Sequence, residues 1–212
     1  MHTVVIESVE TYLERRIVDF SIDKAENYLQ KTGSNPIESN NVNNNDPNSW
    51  SLLRVRDYFY YRLFKNESPI CIEKLNNDYF SCDKPEELFF YRHNITCGVS
   101  IRKNNEVCVR HFFNLLCEKA KEKGVSLILL IAVDKYDLYQ SYIIDNEWPT
   151  KTVMEDVNRI IGEDSRLLLS KNILKPMLEN GEKDIFKFND THWSYKASQI
   201  IADELYNRIV SK

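Results

Sequence analysis

Near its amino end the chain changes period. Thr3 to Ile6 is a short β-branched run that favours extended backbone. After it, Val9, Leu13, Ile17 and Phe20, with Tyr12, recur at three- and four-residue spacing, while Glu10, Glu14, Arg15 and Arg16 fall on the other face. Apolar residues at that spacing form the stripe of an amphipathic helix. A strand that runs straight into such a helix is half of a β-α-β unit. A second stripe, Val109, Phe112, Phe113, Leu116 and Ala120, ends in a lysine-rich turn and Gly124, a helix stop. Next comes VSLILLIAV at 125–133, apolar on both faces as a central parallel strand is. Further along, the pattern predicts a helix around 152–161, an apolar stretch RLLLS, a short helix near 171–179 and a strand DIFKF at 184–188. A last helix is expected to bury Ala197, Ile200, Ile201, Leu205 and Ile209.

Strands alternating with helices predict an α/β fold: a three-layer sandwich with a mainly parallel central sheet. Residues 34–107 break the alternation and read as a loop-rich insertion within a single domain spanning 1–212. SNPIESNNVNNNDPNS at 34–49 is a solvated loop by composition. LRVRDYFYYRLF and ELFFYRHNIT are aromatic and β-prone, without clean alternation. Such aromatics either join the core or line a sugar-binding surface, and burial is the commoner fate.

Composition narrows the function classes. A length of 212 residues with 42% hydrophobic and 12% aromatic content suits one sizeable domain with a real core. A net charge of −4 argues against a nucleic-acid surface, which needs clustered Lys and Arg. The longest apolar run, at 125–133, is too short to span a bilayer, and no charged–apolar–small leader is visible. The five cysteines, Cys71, Cys82, Cys97, Cys108 and Cys117, contain no tight C-x-x-C pair, which argues against a zinc site. Cys108 and Cys117 read as core. One disulfide among the other three is neither required nor excluded.

Ligands in parallel sheets sit at the carboxyl ends of the strands. Glu7, Ser8, Asp134, Lys135, Asp190 and His192 all fall just after predicted strands. Asp190 and His192 stand two apart in NDTHWS, followed by Trp193. A carboxylate that folds back onto an imidazole fixes its tautomer and readies it as a general base. Alternatively, Asp190, Thr191 or Ser194 simply caps the last helix. No second histidine or carboxylate stands at ligand spacing nearby, so a metal site ranks lower and no cofactor is called for. Lys135, able to hold an anion or to pair with Asp134 or Asp137, and Trp193 are the candidate substrate-binding residues. His93 either touches a ligand or is structural. Ser8 either caps the first helix or serves as a nucleophile.

NDTHWS at 189–194, GVSLILLIAVDKYDLYQ at 124–140 and the opening VVIESVETYL at 4–13 together resemble the SGNH-hydrolase-like domains of the alginate O-acetyltransferase group. The resemblance covers roughly residues 1–14 and 108–212. It implies that Asp190 and His192 are the acid and base of a Ser-His-Asp triad. It also implies an O-acyl transferase or esterase acting on a carbohydrate or polysaccharide with an acyl donor, in a bacterial cell envelope. Two departures accompany it. Thr11 stands where the family's Arg usually does, and the family's Gly-Asp-Ser nucleophile motif is absent, GEDS at 162–165 having an extra residue. Two explanations fit: the serine lies upstream, in a longer extracytoplasmic or periplasmic parent whose domain this chain holds incompletely at its amino end, or the chain is a complete but rearranged or degenerate relative. The competing expectation is a non-catalytic carbohydrate-binding or degenerate α/β module. Oligomeric state is not legible.

Overall fold

The computed structural model describes residues 2–18 and 68–210. Strand β1 (Thr3–Val9) passes without a loop into helix α1 (Glu10–Val18). A hairpin of β2 (Ile70–Lys74) and β3 (Glu87–Tyr91) leads through the single turn α2 (His93–Thr96) to the long helix α3 (Glu106–Glu122). Then follow β4 (Ser126–Ala132), α4 (Lys135–Tyr139), α5 (Val153–Ile161), β5 (Leu167–Leu169), α6 (Lys171–Glu179) and α7 (Tyr195–Val210).

The fold is α/β. Its main sheet is parallel, in the order β1-β4-β5, and β2 pairs antiparallel with β3 in a separate ribbon. β4 is the central strand, with all seven residues buried, which accounts for its unbroken apolar run. It pairs with β1 from Thr3↔Ser126 to Val9↔Ala132, and with β5 from Leu129↔Leu167 to Ile131↔Leu169. α3 packs on β4 and touches α1 and α5. It ends at Gly124, whose φ of 65° lets the Val125 amide reach back to the Ala120 carbonyl and close the helix.

Several expectations shift in detail. The 184–188 segment forms a single β-bridge, Phe186↔Trp193, in place of a strand. In α7 only Ala197 and Ile201 are buried; Ile200 and Leu205 are partly covered and Ile209 faces solvent. Of the two cysteines expected in the core, Cys117 is buried but Cys108 is exposed. Tyr12 is exposed, whereas Glu10, placed by periodicity on the outer face, is fully buried.

The described part of the insertion, residues 68–107, is irregular with the short strands β2 and β3, as its pattern suggested. LRVRDYFYYRLF, the 34–49 loop and Phe20 lie outside the described residues. Among those described, the insertion's aromatics are mostly core. Phe80 stacks on Tyr139 at 5.5 Å and meets Phe188 edge-on, and Phe90 packs on Tyr136 at 4.8 Å.

Candidate active site

The chain reverses tightly between Ile185 and Ser194. The Lys187 amide donates to the His192 carbonyl at 3.2 Å, and the Ser194 amide to the Ile185 carbonyl at 2.9 Å. Within this reversal Asp190 folds back on its successors. Its Oδ1 accepts from the Thr191 amide at 2.6 Å and lies 2.7 Å from His192 Nδ1. Partial burial works to raise the Asp190 pKa, but the bonds from His192 and Thr191 outweigh it and hold the carboxyl below its usual range. A carboxylate only accepts, so this contact puts a proton on His192 Nδ1, and in the neutral ring the lone pair is then on Nε2. The imidazole is 79% exposed.

The ring opens onto a groove of about 630 Å³ at the carboxyl ends of β1 and β4. Glu7 and Val9 of β1, Thr11 and Tyr12 of α1, Asp134, Trp193 and Ser198 line it, together with Tyr91, His93 and Asn94 from the insertion. The Tyr12 and His93 rings lie 5.4 Å apart. Trp193 anchors the turn by donating Nε1–H to the Val133 carbonyl at 3.4 Å.

Lys135 does not face this groove. Its ammonium is fully buried and donates to the carbonyls of Lys187, Phe188 and Asp190 at 2.8, 2.7 and 3.2 Å. Burial pulls its pKa down to about 7, against the opposing pull of Asp190 and Cys82. The expected anion-holding role is therefore corrected, because every N–H of the ammonium is already bonded inside the protein. The alternative, an ion pair with Asp134 or Asp137, fails too: other lysines pair with those two acids.

A second charged group lies beneath the groove. Lys151, fully buried, bridges Glu10 Oε1 at 3.2 Å, Thr11 Oγ1 at 3.0 Å and Asp134 Oδ2. Thr11 in turn donates to Asp134 Oδ2 at 2.6 Å, and Lys151 supplies the cation beside that carboxylate. Lys171 Nζ is 2.6 Å from Asp137 Oδ1 and 2.7 Å from Glu155. Burial would raise the Asp134 pKa, but the charge and bonds of Lys151 keep it lowered. Burial, then repulsion from Asp134 and Asp137, pushes Glu10 well above the usual carboxylate range. Glu10 Oε2 and Asp137 Oδ2 are both buried with no other hydrogen-bond partner, so a proton held between the two carboxyls would satisfy both. Burial raises the Asp137 pKa as well, against the opposing pull of Lys171.

Ser8 is buried, donates to the adjacent Val9 carbonyl at 3.4 Å, and is absent from the groove lining. Tyr12, Tyr91, Asn94 and Ser198 were not singled out from sequence. Tyr12 occupied an apparent core position, and α7's phase alone could have flagged Ser198, one turn past Ser194. No family model, curated protein or solved structure matches the chain.

Proposed function

We propose that the chain holds the acid and base of an SGNH-type O-acyl transferase or esterase acting on carbohydrate hydroxyls. The 2.7 Å contact between Asp190 Oδ1 and His192 Nδ1, with the ring exposed in a groove, carries this reading. In it, Asp190 orients the imidazole, Nε2 takes a serine proton as the hydroxyl attacks the acyl carbon, and the imidazolium returns that proton to the leaving alcohol. Water or a sugar hydroxyl then releases the acyl group.

The serine is assigned to a segment outside the described residues. β1 is the outer strand among those described, with Val4 and Val5 exposed. A strand added in parallel there would end beside Glu7 and Val9, at the groove.

The test is hydrolysis of p-nitrophenyl acetate, and acetyl transfer to oligosaccharides, by the protein extended upstream of Met1. Activity with an acetylated serine trapped by mass spectrometry is expected, falling about 10³–10⁴-fold in His192→Ala. Activity that survives His192→Ala unchanged overturns the assignment. Inactivity of both proteins, with oligosaccharide binding retained, favours a non-catalytic carbohydrate-binding module.

A further inference from the structure

We propose that Lys135 is a positioning residue for the Asp190–His192 pair, its ammonium a tethered cation that gathers three main-chain carbonyls and so sets the turn on which the pair sits. The three oxygens belong to Lys187, Phe188 and Asp190 and converge on Nζ within 2.7 to 3.2 Å. Carbonyl dipoles aimed at one point repel each other unless a cation lies between them, as in carbonyl-lined ion sites. A primary ammonium brings three N–H donors to three acceptors, whereas the planar fork of arginine fits such a cage poorly. The Phe80 ring covers another side, 4.9 Å from Nζ. The caged carbonyls come from the residues that place Asp190, and the Asp190 carbonyl is itself one of them.

A buried lysine used only as filler would be replaced without loss by an apolar side chain of similar length. Here the same replacement would release the turn. The reduced pKa agrees with a desolvated ammonium. The titratable groups facing it are Asp190 on the turn and Cys82 from the segment before β3.

The proposal concerns the geometry of the pair and rests on the proposed function only for the use made of it. Its test therefore reads structure and not turnover, so the two can fail separately. In Lys135→Met, NMR hydrogen exchange at the amides of Lys187 and Ser194 should lose at least tenfold more protection than at Leu129 and Ile131 in β4. The downfield Nδ1–H signal of His192 should also vanish. In Lys135→Ala, methylammonium should restore both, while tetramethylammonium, which has no N–H, should not. An equal loss of protection in turn and strand, an unchanged His192 signal, or equal rescue by both cations overturns the proposal. If neither variant folds, the unaltered chain gives the answer. Protection of the turn amides, corrected for intrinsic exchange, should fall selectively as pH rises from 6 to 9; a uniform response overturns it.

Discussion

Two charged groups adjoin at the carboxyl end of the sheet. Glu10, Asp134, Asp137, Lys151 and Lys171 are buried and bonded to one another, whereas Asp190 and His192 leave the imidazole in solvent. Thr11 and Asp134 belong to the buried group and also form part of the groove that His192 overlooks. The acids and lysines of the buried cluster are bonded to one another, so it offers little to a ligand and much to the placement of β1 against β4. The pair on the turn has one partner on one side and an unengaged face on the other. Charge density alone would favour the cluster as a candidate site; access to solvent favours the pair.

The sharpest way to break the contrast is Lys151→Met. It strands Asp134 as a buried carboxylate, and urea denaturation at pH 7 should show a loss of about 3–5 kcal/mol. Adding Asp134→Asn should recover part of that loss, since the two residues are coupled.

A smaller effect is expected for Glu10→Gln. The folded-state pKa of Glu10 is raised, so its contribution is full below the unfolded carboxyl pKa and is lost as pH rises through the folded value. Glutamine keeps a donor toward Asp137 and has no proton to lose. The variant should match the original near pH 5 and gain on it as pH rises, by on the order of 1 kcal/mol, the scale of a poorly satisfied buried group. Stability curves at several pH values check this; a variant that loses ground with rising pH contradicts the shared proton.

The smallest effect belongs to the exposed pair. Asp190→Asn should change stability by less than about 1 kcal/mol, as solvent-exposed ion pairs do. Its lowered pKa means that this small contribution is present above the ordinary carboxyl range and lost as pH falls through the folded value. ¹⁵N chemical shifts of His192 should nevertheless show mixed tautomers in the variant, because an amide can donate to Nδ1 as well as accept from it.

What could be read from the sequence follows from which forces are local. The buried run of β4 and the stripe of α3 declare themselves because an apolar core imposes period and composition directly. Asp190 and His192 were legible because two residues at short spacing on a turn make their own contact. Lys135 and Glu10 were not, since each was placed by the usual solvation of charge. Their burial depends on partners far along the chain, the 187–190 carbonyls for Lys135 and residues 134, 137 and 151 for Glu10. The expected strand at 184–188 was lost for a related reason: Phe188 faces Phe80 and Phe89 of the insertion, Phe186 faces Tyr139 of α4, and the backbone turns on itself without joining the sheet.

The pairing of β1 with β4 has a consequence for biosynthesis. Thr3 meets Ser126, and Thr11 bonds Asp134 across 123 positions of sequence. At ribosomal speeds of about 5–20 residues per second, β1 waits on the order of ten seconds for the strand it docks on. During that interval the β1 segment, with its three valines, lacks its β4 partner beside whatever else is emerging. Its chaperone demand should therefore be set by elongation rate through the intervening codons, and slow codons after β4 would do less harm than slow codons before it.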